Sequence, residues 1–299
     1  MTTTTLRPPA HSDRSAFQAL DWWLFAIVGT IWGSSFLLIK IALGSIHPGT
    51  ITWARVALGA LALMALPSSR IRITAGDRSK MALLSVVWVG IPFTLYPLAE
   101  QHIDSAATGL LTGATPLFAV LIGAVWFGRP TGRPQRFALI IGFSGVALIS
   151  IGSGWVGGSA TVGVVMVLAS TVCYGFATNL AGDLRQRYGS VALMGRMLAL
   201  VVLWTTPFGI HGVTQSHIAF GPVMAVTALG VVGTGLAFGL MARLVGRVGG
   251  PRSSFVTYLM PAVALVLGAT LLGESVATVS LLGAALVLAA SILASRSEG

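Results

Sequence analysis

Two arginines, Arg55 and Arg196, stand inside strongly apolar stretches of the sequence. A charged side chain is costly to bury in an apolar segment, and where it is kept it usually pairs with a partner or marks a functional site. A long arginine near the end of a segment can instead extend to the surface or cap a neighbouring helix. Two roles therefore stay open for both residues: gating or contact with a ligand carboxylate, and a structural role. Lys40, near the outer end of its stretch, is expected to extend to the surface.

Hydroxyl side chains recur at spacings of three and four residues in another apolar stretch, at Ser105, Thr108, Thr112 and Thr115. In a helix this spacing places all four hydroxyls on one face. Such a face can line a polar cavity, or its hydroxyls can bond to their own helix and to neighbouring helices. Both interpretations stay open. A similar face with Thr257 recurs later in the chain.

Two prolines, Pro116 and Pro261, lie near the middle of these two stretches. Proline has no amide hydrogen for the carbonyl four residues earlier, which here belongs to Thr112 and to Thr257. A freed acceptor beside a hydroxyl suits a polar ligand, and each proline is predicted to act as a hinge. A static kink, satisfied by a neighbouring hydroxyl, is the alternative.

Aromatic residues also lie near the middle of apolar stretches. Tyrosine and tryptophan combine a large apolar ring with a polar group, so at depth they favour a cavity with surfaces for stacking. Together with hydroxyl residues they form the predicted cavity set: Trp32, Ser34, Trp88, Phe93, Tyr96, Thr108, Thr112, Thr115, Tyr174, Thr178, Phe238, Thr257 and Tyr258.

No group of residues has the spacing of a catalytic or metal site. Cys173 is the single cysteine, the five histidines are scattered, and neither a zinc-binding HExxH pattern nor a phosphate-binding Walker lysine motif occurs. The sequence thus predicts no catalytic residues, no metal and no cofactor, and it does not favour an enzyme.

The segments that must position these residues are apolar throughout. Of the 299 residues, 55% are apolar and 9% charged, and the mean hydropathy is +0.88, which is typical of a membrane protein rather than a soluble domain. We count ten apolar runs of about 20 residues, the length with which an α-helix crosses the ~30 Å core of a bilayer. The net charge of +10 sits in the gaps between runs, so nucleic acid is not an expected partner.

The basic residues test this count, because Lys and Arg collect in the cytoplasmic connections of membrane proteins. When the ten runs alternate in direction, all of the 18 basic residues except Lys40, Arg55 and Arg196 fall on one side. The sequence therefore predicts a multi-pass protein of the inner (plasma) membrane with this side, and both termini, in the cytoplasm.

The fourth and ninth runs are related in sequence. Aligned on Pro116 and Pro261, they share further residues at a constant offset of 145, namely Thr112/Thr257, Ala119/Ala264, Gly123/Gly268, Ala124/Ala269 and Gly128/Gly273. Each half then holds five helices, and because five is odd the second half enters the membrane from the opposite side. The predicted fold is an all-α integral membrane protein of ten transmembrane helices, arranged as two inverted five-helix repeats around a central cavity. The repeats are residues 22–151 and 160–294, between an N-terminal tail, 1–21, and a C-terminal tail, 295–299.

Three sequence segments carry a family resemblance: "WGSSF" from Trp32, "PLFAVLIGAVWFG" from Pro116 and "MPAVALVLGATLLGE" from Met260. With the arginine of the second run, they resemble the EamA-type branch of the drug/metabolite transporter superfamily, which includes amino-acid exporters of the YddG type. The resemblance implies a ten-helix transporter with cytoplasmic termini. It also implies a substrate cavity lined by helices one, three, four, six, eight and nine, with helices five and ten peripheral.

These observations together predict a secondary transporter that exports small organic metabolites, foremost neutral or aromatic amino acids, by alternating access. Nucleosides and drug-like cations are alternative cargoes, and a membrane-embedded enzyme acting on lipid-linked substrates is the alternative of another class. The expected partners are a small-molecule substrate and the lipid bilayer, and the expected state is a monomer or a weak homodimer.

The eight acidic residues all lie in termini, connections or the ends of apolar runs. Carriers driven by protons usually place a carboxylate at depth. The sequence therefore favours movement of the substrate down its own gradient over coupling to protons.

Overall fold

The computed structural model describes residues 17–154 and 158–296. The outer parts of both predicted tails, residues 1–16 and 297–299, lie outside the described residues. The described residues are helical and free of strands. They form ten helices of nine residues or more: α1 Ala19–Ala42, α2 Pro48–Met64, α3 Ala75–Ala99, α4 Ser105–Trp126, α5 Arg133–Gly152, α6 Ser159–Leu180, α7 Ser190–Val213, α8 Phe220–Val248, α9 Val256–Leu271 and α10 Thr278–Arg296.

Seven of these helices are long and apolar enough to cross a membrane: α1, α3, α4, α5, α6, α7 and α8. Two shorter helices, α9 and most of α10, are also apolar, and α2 has 17 residues, the lower end of the ~17 to 25 that a crossing needs. Large apolar side chains cover the outside of the bundle, for example Leu61, Ile140 and Leu203, each at least 65% exposed. Because water would penalise such a surface, it indicates a lipid surrounding.

Helices α4 and α9 end in the same way. Gly128 follows α4 with φ +62°, and Gly273 follows α9 with φ +65°. Just beyond each glycine, an amide returns to the helix: the Arg129 amide donates to the Gly123 carbonyl at 3.0 Å and the Glu274 amide to the Gly268 carbonyl at 3.1 Å. Only glycine adopts a positive φ without strain, so both helices stop at these positions.

Helices far apart in sequence pack against each other. Helix α1 packs against α8 and α9, α6 against α3 and α4, and α2 against α7 and α8. Helix α5 contacts α10 along its length, and α4 contacts α9. These contacts fix which face of each helix points to the centre.

Small residues let the backbones approach closely at these contacts. A Cβ atom added to Gly145 of α5 would lie 2.6 Å from the Gly283 carbonyl oxygen of α10, and one added to Gly283 would lie 2.5 Å from the Gly145 carbonyl oxygen. Similarly, a Cβ on Gly33 of α1 would lie 2.6 Å from the side chain of Val263 in α9. Larger residues at these positions would force the helices apart.

Two helices contain a π-helical turn, Ser85–Gly90 in α3 and Val231–Leu236 in α8. Such turns widen a helix locally and are frequent at functional sites. Both lie midway along their helices, next to the buried polar residues described below.

The two ends of the bundle differ in charge. We name the end with the start of α1 the basic end, and ion pairs join its segments: Asp21 to Arg247, Asp77 to Arg187, and Lys80 to Asp183. We name the opposite end, which holds Lys40, Glu100, Asp104 and Glu274, the acidic end. There the Glu274 carboxylate accepts bonds of 2.9 Å from the backbone amides of Ser105 and Ala106, at the start of α4.

Candidate functional site

A buried positive charge lies at the centre of the bundle. The Arg55 side chain of α2 belongs to a residue that is only 5% exposed. Its Nε donates a hydrogen bond of 3.2 Å to the Thr234 hydroxyl, in the π-helical turn of α8. Its guanidinium carbon lies 3.9 Å from the ring centroid of Phe93 in α3. A hydroxyl and an aromatic face thus hold the cation, through a hydrogen bond and a cation–π contact.

Aromatic rings and a hydroxyl complete what we call the Arg55 cluster. Tyr96 of α3 packs edge-on against Phe36 of α1, with ring centroids 5.5 Å apart, and faces Tyr174 of α6 at 6.2 Å. Its phenolic oxygen accepts a bond of 3.3 Å from the Thr112 hydroxyl of α4. The Arg55 cluster is thereby built from six different helices: α1, α2, α3, α4, α6 and α8.

No carboxylate neutralises the charge of Arg55 by direct contact: none of the ion pairs within 17–154 and 158–296 includes it. An unpaired buried charge costs several kcal/mol, roughly, because it has lost its water. A ligand carboxylate would relieve that cost, so the geometry suits an anionic group.

A second group of predicted residues lines a small cavity nearer the basic end, with a volume of about 80 Å³. Trp32 of α1 and Phe238 of α8 meet edge-on there, with centroids 5.3 Å apart. Trp88 of α3 lies across the cavity, and the guanidinium carbon of Arg185 lies 5.6 Å from its ring centroid. The rings form an aromatic lining between the Arg55 cluster and the basic end.

Most hydroxyls of the predicted set bond to their own helices. The hydroxyls of Thr108, Thr112, Thr115 and Thr178 donate to carbonyls three or four residues earlier, at 2.7 to 3.0 Å, and so do those of Ser34 and Thr257. Of these hydroxyls, only that of Thr112 also contacts another residue of the Arg55 cluster in the described part of the chain, namely Tyr96 at 3.3 Å. The local bonding favours the packing role for most of the stripe, while a role in transport stays a prediction.

Tyr258 points away from the Arg55 cluster. Its phenolic hydroxyl donates a bond of 2.8 Å to the Ser291 carbonyl of α10. The residue thus contacts one of the helices that the resemblance makes peripheral. Its predicted contact with substrate stays a prediction, and its position gives it a packing role.

The two predicted hinge prolines lie on α4 and α9, which pack against each other. Helix α4 is interrupted at residues 113–114, just before Pro116, and the Thr112 carbonyl accepts a bond of 2.7 Å from the Thr115 hydroxyl. Helix α9 continues through Pro261. A Cβ on Gly113 would lie 2.8 Å from the Pro261 ring. The ring of Pro261 in α9 therefore packs against α4 at the point where α4 is interrupted.

The two arginines that stand inside apolar stretches have different surroundings. Arg196 lies at the basic end, where its Nη2 donates a bond of 3.0 Å to the Ile71 carbonyl. With Arg72 and Arg78 it lines an open pocket of about 510 Å³. The Arg196 side chain is half-buried, and its Nε is buried without a hydrogen-bond acceptor among the described residues. Its bond to a connection at the basic end suits the structural role, whereas Arg55 is part of the central cluster.

Lys40 and Glu100 lie close together at the acidic end. The Lys40 ammonium donates bonds of 2.8 and 3.1 Å to the carbonyls of Glu100 and Ile103. Glu100 follows the last residue of α3, as predicted for an acid at the end of an apolar run, and it is 1% exposed. Nothing in the sequence indicated this burial.

The residues missed from the sequence are Phe36, Glu100, Arg185 and Thr234. Phe36 lies one helical turn beyond Trp32 and could have been found from that spacing. The other three gave no local signal, since their positions depend on contacts between distant helices. Among the described residues, no three His, Cys, Asp or Glu side chains are grouped as metal ligands would be.

Comparison with known proteins gives one family. The model of the EamA-like transporter family matches residues 21–151 and, a second time, residues 161–296.

Relatives of similar length are named as transporters. The chain is 27% identical to a "probable terminal-alkyne amino-acid exporter" of Streptantibioticus cattleyicolor, over 92% of this chain and 93% of that protein. It is 24% identical to a "probable amino-acid metabolite efflux pump" of Salmonella typhimurium, over 90% and 92%. It is 23% identical to an uncharacterised transporter of Archaeoglobus fulgidus, over 89% and 95%.

A solved crystal structure shares the fold, with a TM-score of 0.64 at 16% identity, over 95% of this chain and 100% of the other.

Proposed function

The chain belongs to the EamA-like transporter family, as its sequence predicted. From this premise we propose that it is a secondary carrier that exports small organic metabolites, foremost neutral or aromatic amino acids. The carrier is a multi-pass protein of the inner membrane, with its basic end in the cytoplasm. The single observation that carries the choice of cargo is the buried, unpaired charge of Arg55 beside aromatic rings.

The proposal includes an inverted repeat of two five-helix halves, and the helix contacts support it. In such a repeat each helix of the first half corresponds to the helix five places later, so that α1 corresponds to α6 and α4 to α9. The contact of α1 with α9 then corresponds to the contact of α6 with α4. In the same way α1–α8 corresponds to α6–α3 and α2–α8 to α7–α3, and all these contacts occur. The family also matches each half separately. Rotation of one half against the other would then expose a central site to each side in turn.

Two further matched features support the repeat. The π-helical turns of α3 and α8 begin at Ser85 and Val231, and the positive-φ glycines after α4 and α9 are Gly128 and Gly273. In each pair the offset is within one residue of that between Pro116 and Pro261. The π-helical turns and the positive-φ glycines are both departures from regular helix, and two such features rarely recur by chance at the same offset.

The chemistry of the Arg55 cluster favours a carboxylate-bearing cargo. A guanidinium binds a carboxylate through strong, charge-assisted hydrogen bonds, and the rings of Phe93, Tyr96 and Tyr174 offer apolar surface to a side chain. The same positive charge repels drug-like cations, which makes them the weaker alternative. Arg55 is buried in the state described, so a substrate reaches it only when the halves move.

Counterflow into proteoliposomes loaded with unlabelled phenylalanine tests this proposal. Labelled phenylalanine should enter, and competition by phenylalanine should far exceed that by phenethylamine, which lacks the carboxylate. Replacement of Arg55 by Gln should reduce uptake roughly 10- to 100-fold, the equivalent of a lost hydrogen bond to a charged group at ~1.5 to 3 kcal/mol. Arg196→Gln, at the other arginine inside an apolar stretch, is the matched control and should transport normally.

Equal competition by phenethylamine, or full activity of Arg55→Gln, would contradict recognition of a carboxylate by Arg55. Competition by nucleosides or lipophilic cations in place of amino acids would assign the alternative cargoes instead.

A further inference from the structure

Glu100 has a buried carboxyl group. It follows the last residue of α3, its amide donates a bond of 3.0 Å to the Tyr96 carbonyl, and the residue is 1% exposed. In the part of the chain that the structure describes, neither Oε1 nor Oε2 of its carboxyl group has a partner within hydrogen-bonding distance. Because Tyr96 belongs to the Arg55 cluster, Glu100 lies one helical turn from that cluster, towards the acidic end.

Charged groups surround Glu100, but their hydrogen bonds go elsewhere. The Lys40 ammonium on α1 donates to backbone carbonyls, Arg55 on α2 donates to Thr234, and the Glu274 carboxylate binds the start of α4. Asp104, in the same connection as Glu100, is exposed. Helix α6 also packs here, through Gly163, and it contains no Asp, Glu, Lys, Arg or His.

The balance of these effects favours a protonated carboxyl group. Burial raises the pKa of Glu100 well above its usual range, the positive charges of Lys40 and Arg55 oppose this shift, and the negative charge of Glu274 adds to it. An ionised carboxylate would lack both water and donors, which is costly. The proton therefore stays at neutral pH until a cation reaches the carboxyl group or water enters.

The surroundings of Glu100 offer a route for water on one side and for a cation on the other. A cavity of about 220 Å³ opens at the acidic end and is lined by Lys40 and by the residues that directly follow Glu100, including Gln101, His102 and Asp104. On the other side of Glu100 lies the Arg55 cluster, where we place the substrate carboxylate. An amino acid held there by its carboxylate also carries an ammonium group, which is a cation of the kind that a buried carboxyl group would bind.

We propose that Glu100 is a proton-binding site at which substrate and proton compete, so that one proton enters the cell for each amino acid exported. This proposal rests on the carrier function proposed above. When the substrate binds, the carboxyl O–H bond breaks, the proton passes to water, and the carboxylate then accepts hydrogen bonds from the substrate ammonium. After release at the acidic end, the carboxylate takes up a proton from the cavity.

The test uses full-length protein in proteoliposomes, with the membrane potential clamped by potassium and valinomycin. An acidic interior should drive uptake of labelled phenylalanine above its outside concentration, by up to about tenfold per pH unit for one-for-one exchange. An exchanger works in either orientation, so random insertion does not weaken the measurement. Replacement of Glu100 by Gln should abolish this accumulation and weaken phenylalanine counterflow without abolishing it, because the amide still accepts a hydrogen bond from the substrate ammonium but carries neither the charge nor the proton of the acid. Asp183→Asn, an acid at the basic end whose side chain is 68% exposed, should accumulate phenylalanine as the wild type does.

The outcomes separate the two proposals. Counterflow by the wild type without accumulation in a pH gradient would overturn proton coupling and leave the carrier function standing. Accumulation that persists in Glu100→Gln would overturn the role of Glu100. Absence of both activities in the wild type would contradict the carrier function itself.

A second measurement covers the case in which Glu100→Gln does not fold. Infrared difference spectra of the wild type on addition of phenylalanine should show loss of the carbonyl band of a protonated carboxyl group. Glu100→Asp keeps the ionisable group and should retain accumulation with a shifted pH profile. An unchanged carbonyl band, or no accumulation by a folded Glu100→Asp, would count against the proposal.

Discussion

At the scale of single residues, Arg55 can be buried because of the types of its neighbours. A guanidinium in the interior needs acceptors and polarisable surface, and Thr234 and Phe93 supply one of each. Thr234 in turn donates its own proton to the Leu229 carbonyl at 2.9 Å. The threonine therefore joins the charge to the irregular backbone of α8.

Replacement of Thr234 by Val tests this link, because valine has nearly the same shape without the hydroxyl. We expect the free energy of unfolding in detergent to fall by about 1 to 3 kcal/mol, since a buried charged donor loses its acceptor. Thr227→Val, at an exposed hydroxyl of the same helix that bonds to the Val223 carbonyl, is the control. Equal losses in the two variants would show that the bond to Arg55 adds nothing.

At the scale of helices, the crossing of α4 and α9 is the place where the chain is least regular. Helix α4 is interrupted at residues 113–114, and the ring of Pro261 lies against Gly113. A helix without its full set of backbone bonds bends at lower cost than a continuous one. The two halves therefore touch at a point where each can change its angle.

The double variant Pro116→Ala, Pro261→Ala should restore backbone donors and stiffen both helices. We expect counterflow to slow several-fold while the yield of folded protein, measured by size-exclusion chromatography, stays within twofold of wild type. Pro134→Ala, in the first turn of α5 where proline costs no bond, should leave counterflow unchanged. Wild-type rates in the double variant would exclude the prolines as hinges.

The helices themselves were predictable from the sequence, and their rotation about their own axes was not. The ten apolar runs correspond to the ten helices of nine residues or more in the described part of the chain. Hydropathy does not predict which neighbouring helix a side chain contacts. The sequence therefore did not show that Tyr258 bonds to α10, that Arg196 bonds to the connection with Ile71, or that Glu100 at the end of a run is buried.

At the scale of the whole molecule, the separation of charge between the two ends gives the bundle a direction. The arginine-rich connections lie together at the basic end, where ion pairs join α1 to α8 and α3 to the segment before α7. From the positive-inside rule we expect this end to lie in the cytoplasm. The buried Glu100 and its cavity then face the outside, where an exporter would meet incoming protons.

Labelling of single cysteines in intact cells tests this orientation, in a Cys173→Ser background. Thr214→Cys, exposed at the acidic end, should react with a membrane-impermeant maleimide added outside. Asp183→Cys, whose native side chain at the basic end is 68% exposed, should react only after the cells are permeabilised. The reverse pattern would invert the topology and remove the cavity beside Glu100 from the outer surface.

The π-helical turns of α3 and α8 have a consequence for motion within a single helix. Each turn holds about one residue more than an α-helical turn, and one residue corresponds to a rotation of ~100°. If the extra residue moved to the next turn, the side chains passed over would rotate by that angle while both ends of the helix stayed in place. In α3 the turn is followed directly by the stretch with Phe93 and Tyr96, and in α8 it contains Thr234. A shift of register in either helix would thus break the contacts of Arg55 and free its charge without any displacement of the ends of the bundle.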